Sequence, residues 1–333
     1  MRVLVTGAVG FIGSALAREL KMQGYEVIGT DNFSPYYSVQ LKKLRLNEFL
    51  VSQDIAFIDC DLGNEKAVQD LLQQTEVSTV IHLAAQPGVR LPIDRWNAYT
   101  HDNLLGFSNI LTLAARNGVN DFLYASSSSV YGNSSDELLN EELSVVEPIS
   151  FYGATKLANE NIAKAVSRKS KIRTRGLRFF TVYGPWGRPD MAYFRMITSA
   201  ITKKPFQIYG DGSIKRDFTF ISDVVDKTFQ LMQELKSRPK NFSDVVNIGG
   251  GKPKSISEIL DLCQIISREE IPHSKVKSEY GDVDRTRADF HYLNSLTGSV
   301  PETDIFEGLS RVFNWAKEEE IRNLLNEWVD SVK

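Results

Sequence analysis

Along the first half of the chain, short apolar runs alternate with longer stretches in which apolar residues recur every three or four positions. VLVTG (3–7), EVIGTD (26–31), IAFIDCD (55–61), STVIHLAA (78–85) and DFLYASS (121–127) are rich in Val, Ile, Leu and Phe and end in small or polar residues, the pattern of buried strands. Between them, FIGSALARELKMQ (11–23) and NEKAVQDLLQQ (64–74) carry helical spacing. This rhythm predicts βαβ units, hence an α/β fold with a Rossmann-type doubly wound parallel sheet and helices on both faces. After Thr174 the rhythm loosens. RTRGLRFFTVYG (173–184) reads as one further strand and runs into GPWGRPDM (184–191), a loop that no helix interior tolerates. FQIYG (206–210) and VVNIG (245–249) read as strands, and SISEILDLCQIISREE (255–270) and 306–332 as helices. The expected division is a sheet domain over 1–175 and a smaller α/β domain over most of 176–333, some segments of which return to the first.

Composition narrows the class. The chain has 333 residues, and 39 Lys+Arg against 42 Asp+Glu leave a net charge of −3. That balance argues against a nucleic-acid partner, whose footprint is basic. No apolar run reaches the roughly 20 residues of a membrane span, and MRVLVTGAVGFIG lacks a signal-peptide cleavage pattern. Cys60 and Cys263 fit no disulfide or CxxC framework, so a reducing, cytoplasmic setting is expected. The four histidines have no metal-ligand spacing. The basic run 168–175 reads as a solvated helix end without function, and the C-terminal segment as an amphipathic surface helix.

Two constellations carry chemistry. Gly7, Gly10 and Gly13 stand as G-x-x-G-x-x-G between a predicted strand and helix. There, residues without Cβ let backbone N–H groups approach a pyrophosphate at a helix N-terminus. The second strand ends in Asp31, placed to accept from a ribose 2′-hydroxyl and to repel a 2′-phosphate. With no Arg or Lys between Asp31 and Gln40, this favours NAD over NADP. The second constellation is Tyr152 with Lys156, i and i+4 on one helix face. A nearby ammonium lowers a phenol's pKa and yields a base near neutral pH. The four serines Ser126–Ser129 follow a predicted strand directly, at the strand end where open α/β sheets bind ligands.

Together these features resemble the extended short-chain dehydrogenase/reductase family, over residues 1 to about 290. The matching elements are the glycine turn, Asp31, Asp61-Leu62, Leu83-Ala84-Ala85, the serine run and Tyr152/Lys156. The resemblance implies a catalytic set of Tyr152, Lys156 and Ser127. It also implies an NAD site formed by Gly7, Gly10, Phe11, Ile12, Gly13, Asp31, Asn32, Asp61, Leu62, Leu83, Ala84, Ala85, Gln86, Asn103, Tyr152, Lys156 and Phe179. Members act on nucleotide sugars, beginning with oxidation of a C4 hydroxyl. Dehydratases and decarboxylases of the family carry carboxylates just after the catalytic hydroxyl, where this chain has Ser128 and Ser129. The stretch 178–191 closely resembles the subgroup of UDP-glucuronate 4-epimerases, as does Gln86-Pro87-Gly88-Val89-Arg90.

That subgroup implies a glucuronate site of Arg90, Ser127, Ser128, Ser129, Thr181 and Arg188. Gln207 and Tyr209 would lie near the uracil, and Arg216 and Arg285 at the diphosphate, the latter within the segment 281–286. The expected activity is interconversion of UDP-glucuronate and UDP-galacturonate. Another UDP-sugar 4-epimerase (UDP-glucose or an N-acetylated sugar), a UDP-glucuronate decarboxylase and a non-catalytic NAD-binding sensor or scaffold are the alternatives. The family usually dimerises through two helices per subunit, here about 94–116 and 152–168.

Overall fold

In the computed structural model, residues 1–134, 136–143, 146–277, 283 and 285–332 are described. Seven strands form one sheet: β1 (Arg2–Thr6), β2 (Glu26–Asp31), β3 (Ala56–Asp59), β4 (Thr79–His82), β5 (Asp121–Ser127), β6 (Arg173–Phe179) and, after three strands that lie elsewhere, β10 (Ser243–Ile248). Every neighbouring pair is parallel, in the order β10-β6-β5-β4-β1-β2-β3. The order reverses between β1 and β4, so a crevice opens there at the carboxyl ends of the strands.

Side-chain alternation builds the two faces. Val3 and Val5 pack with Leu16 and Leu20 of α1 (Phe11–Met22) and with Leu231 and Met232 on a helix over Ile221–Leu235. Leu4 and Val80 point the other way, onto Leu71 of the helix Glu65–Thr75, Leu111 of Phe107–Arg116 and Ala163 of Phe151–Lys169. A separate cluster holds Tyr193, Phe194, Ile259, Val312, Trp315 and Trp328. It lies beside a three-stranded sheet of β7 (Thr181–Tyr183), β9 (Lys215–Phe220) and β11 (Pro253–Ser255), and a pair of β8 (Phe206–Tyr209) and β12 (His273–Val276).

Several expectations are corrected. The strand expected over 173–184 is two, because Phe180 N–H donates to Ile248 O and the chain crosses from the large sheet to the small one. The helix expected over 306–332 breaks at Lys317 and Glu318. It folds back so that Trp315 and Trp328 stack in one core, their centroids 6.4 Å apart. The strand at 55–61 is an edge, only partly buried. The basic run is not all solvated. Arg175 is fully buried and forms ion pairs with Asp244 at 2.7 Å and Glu234 at 2.6 Å, and Arg173 pairs with Asp121. Burial of that arginine is tolerable because both acidic partners are supplied.

Candidate active site

A cleft of about 730 Å³ runs from the glycine turn across the strand ends to β8 and β9. At one end Gly7 adopts φ +69°, and a Cβ there would stand 2.7 Å from Ala84 N. Only glycine lets this turn lie against Leu83 and Ala84. The start of α1, at Gly10, has no side-chain cap, and Phe11, Ile12 and Gly13 line the cleft. The wall opposite, Leu83-Ala84-Ala85, is pinned from below. The Thr6 hydroxyl accepts from Ala84 N–H at 3.2 Å and shares a hydrogen bond with His82 Nδ1 at 2.8 Å. Burial, aided by the Lys156 charge, pushes the His82 pKa down to about 3, so the ring is neutral, wedged against Phe107 and Phe122.

Asp31 ends β2 with its carboxylate accepting from Phe33 N–H at 2.8 Å, and Asn32 and Phe179 also line the cleft. Asp61 and Leu62 follow β3 there. A glycine cradle, an uncapped helix start and a carboxylate at the second strand end together fit an NAD molecule. Gln86 and Asn103 do not line the cleft. Gln86 N–H donates to Asn103 Oδ1 at 2.8 Å, and Asn103 Nδ2 donates to Gln86 O and Thr155 Oγ1, a buried brace behind the wall.

The middle of the cleft holds the second constellation. Ser127 ends β5 opposite Phe179 of β6, and its hydroxyl accepts from Ser129 N–H at 3.1 Å. Gly153 allows the helix Phe151–Lys169 to start hard against this turn, since a Cβ there would meet Ser129 O at 2.6 Å. That approach puts Tyr152 in hydrogen-bonding reach of Ser127. Burial raises the Tyr152 pKa, while the Arg188 charge and the Ser127 hydrogen bond pull it down. Lys156, buried, donates to Ala125 O at 3.0 Å with its ammonium 5.7 Å from the Tyr152 ring centre, and burial lowers its pKa to about 8. The two cations nearest the phenol in this arrangement are thus Lys156, beside its ring, and Arg188, whose charge pulls its pKa down.

Ser128, Ser129, Thr181 and Arg188 line the cleft beside Tyr152, and Gln207, Tyr209 and Arg216 its far end. Arg90 stacks its guanidinium 4.3 Å above the Tyr209 ring, at that far end. Arg285 lies outside the cleft, 3.2 Å from Glu137 and largely exposed, while Gly281, Asp282 and Asp284 lie outside the described residues.

Sequence reading missed four contributors. Lys42 lies eleven residues beyond Asp31, on the helix that follows it. It is buried in the cleft wall 4.0 Å from Asp31, donating to Ser34 O. Asp190 forms a two-point pair with Arg188, Nε to Oδ1 at 3.0 Å and Nη2 to Oδ2 at 2.5 Å. Arg45, fully buried, donates to Val9 O, Trp186 O and Gly187 O, tying the glycine turn to the 184–191 loop, in which Trp186 has φ +61°. Glu160 holds Arg178 through two contacts under the serine run and accepts from Ser126 at 2.5 Å. The spacing Arg-Pro-Asp was the one readable signal among these.

Comparison with known proteins matches the profile of the NAD dependent epimerase/dehydratase family to residues 3–249. The chain belongs to that family. Among its relatives, the UDP-glucuronate 4-epimerase of Thermodesulfobacterium geofontis is 37% identical over 316 residues, spanning 95% of this chain and 96% of that protein. A probable UDP-glucuronate 4-epimerase of Rhizobium meliloti is 35% identical, with 95% and 96% covered. The Bacillus cereus UDP-glucuronic acid 4-epimerase, solved with UDP-glucuronic acid and NAD, superposes with a TM-score of 0.87 at 34% identity, covering 97% of this chain and all of that one. As an epimerase-family chain, the molecule has its parallel sheet, glycine turn and Tyr152/Lys156 helix in one continuous cleft.

Proposed function

We propose that this chain is an NAD-dependent UDP-glucuronate 4-epimerase, interconverting UDP-glucuronate and UDP-galacturonate through a 4-keto sugar. The observation that carries the reading is the set of groups around Tyr152: the hydroxyls of Ser127, Ser128, Ser129 and Thr181, with Arg188. Of the four acidic residues that line the cleft among the described residues, Asp31, Asp61 and Asp102 belong to the sheet domain and Asp190 is taken up by Arg188. Among the described residues, this leaves the sugar region without the carboxylates that elimination or decarboxylation chemistry employs. The resemblance to epimerases at 34–37% identity supports the same choice.

Bound NAD supplies the group that takes the C4 hydride and gives it back. Tyr152 takes the C4 hydroxyl proton, and Ser127 orients that oxygen through its hydroxyl. Lys156, anchored on Ala125 O, keeps positive charge at the base of the site. Oxidation at C4 makes the sugar a β-keto acid, which loses CO2 when its C5–C6 bond aligns with the carbonyl π system. Arg188 and the serine hydroxyls hold the carboxylate out of that alignment, because a guanidinium fixes carboxylate orientation by paired contacts. The 4-keto ring turns over about its phosphate linkage and receives the hydride on its other face.

The same reading places NAD on 1–175 and the nucleotide sugar mainly on 176–333, with Gln207, Tyr209 and Arg216 toward the UDP. It also gives a cytoplasmic homodimer joined through 94–116 and 152–168, where Ile93 and Leu105 stand exposed nearby. Purified protein given UDP-glucuronate without added NAD should yield a mixture with UDP-galacturonate by NMR. UDP-xylose or a 4-keto pentose with CO2 would overturn the reading.

A further inference from the structure

We propose that Asp190 is a positioning residue that tempers Arg188, weakening its grip on the sugar carboxylate enough for the oxidised ring to turn. The inference rests on the glucuronate reading above and deepens it. Four observations converge on the pair. Arg188 and Asp190 both line the cleft beside Tyr152 and Thr181. Asp190 occupies one edge of the guanidinium, Nε and Nη2, through both carboxylate oxygens. A second carboxylate arriving from the cleft therefore meets the remaining Nη1 and the shared Nη2, not the Nε edge. Third, the pair is mostly buried, and its Asp190 side is covered. Tyr36 OH lies 3.5 Å from Asp190 Oδ2, and Gly88 closes on Tyr36, where a Cβ would stand 2.5 Å from the phenol oxygen.

The fourth observation is the charge balance. Burial opposes ionisation of Asp190, but Arg188 and its hydrogen bonds, with Arg195 nearby, hold the carboxyl below its ordinary value. Asp190 is thus an anion, and it sits where it offsets the charge that a uronate would seek. In a low-dielectric cleft an unopposed guanidinium would bind a carboxylate strongly in every state of the reaction. Uniform tight binding does not speed an epimerase whose intermediate must let go and rotate. A partly neutralised arginine orients the carboxylate and still releases it.

The test is Asp190→Asn, which keeps shape and removes the countercharge. Titration calorimetry with UDP-glucuronate and with UDP, on NAD-loaded protein, should show UDP-glucuronate binding roughly tenfold tighter and UDP unchanged. KM should fall, and kcat should fall by roughly tenfold or more, with NADH absorbance building up during turnover because the 4-keto sugar stalls. The tighter grip keeps the C5–C6 bond out of line with the carbonyl π system, so no CO2 should be released while the 4-keto sugar stalls.

A raised KM with unchanged kcat would overturn the proposal, since Asp190 would then merely hold Arg188 for ground-state binding. Should Asp190→Asn fail to fold, Arg188→Ala is compared with the double variant Arg188→Ala/Asp190→Ala. With Arg188 gone the bare Asp190 anion repels the uronate, so the double variant should bind UDP-glucuronate more tightly than Arg188→Ala with UDP unchanged, and no gain in the double variant sinks the proposal. Wild-type protein that leaves UDP-glucuronate unaltered defeats the glucuronate reading itself. An active wild type with the wrong response at Asp190 defeats only this inference.

Discussion

The two ends of the cleft are built by different means. The cofactor end is made mostly of backbone: a glycine turn, an uncapped helix start and strand ends, fixed in place by the Thr6–His82–Ala84 and Gln86–Asn103 braces. The end proposed for the sugar is made of side chains brought from segments far apart in sequence, among them Tyr36, Arg90, Thr181, Arg188, Asp190 and Tyr209. A backbone site recognises an invariant ligand and tolerates little change. A side-chain site sets specificity and can be retuned one residue at a time.

The largest expected effect breaks the chemistry and spares both ends. Tyr152→Phe should lower kcat by roughly a thousandfold or more while NAD stays bound, as cofactor released on denaturation will report. Next comes an attack on the backbone end. Gly7→Val forces a Cβ against Ala84 N at a positive φ, and should abolish NAD copurification and lower the melting temperature together. Thr6→Val is gentler, leaving Ala84 N–H and His82 Nδ1 unpaired. A loss of about 1–3 kcal/mol in stability is expected, with weaker NAD binding by calorimetry.

Lys156 gives a pH-dependent test. Its folded pKa of about 8 lies below its unfolded value, so the unfolded chain binds more protons between the two, and stability rises with pH across that window. Lys156→Met, with no charge to bury, should be more stable than wild type at pH 7, and the gap should close from about pH 8 to 10.5 in thermal melts. Turnover of wild type should decline above about pH 8 as the ammonium is lost. The smallest effect is expected at Arg285. It is an exposed partner of Glu137 outside the cleft, and Arg285→Ala should change KM by less than about twofold.

The same contrast governs what could be read from the sequence. Strands β1, β2, β4 and β5 and the glycine turn announce themselves locally, since apolar runs and a G-x-x-G-x-x-G spacing are short-range signals. Phe180 gave no warning that 173–184 divides between two sheets, because its partner Ile248 lies far along the chain. Gln86 and Asn103, read as cofactor residues by resemblance, are held to each other by hydrogen bonds that no residue type announces. Lys42 and Arg45 reach the cleft region only because the helix Val39–Arg45 folds back beneath Asp31 and the 184–191 loop. Asp190 was in plain view, but its pairing with Arg188 is a matter of rotamer and enclosure.

The most direct test of the central claim follows the hydrogen at C4. UDP-glucuronate deuterated at C4 is incubated with the purified protein and the products are resolved by NMR. The account predicts UDP-galacturonate with the deuterium retained at C4 and the carboxylate intact, because one hydride leaves and returns to the same carbon. Label lost to water, or a product without its carboxylate, would contradict it.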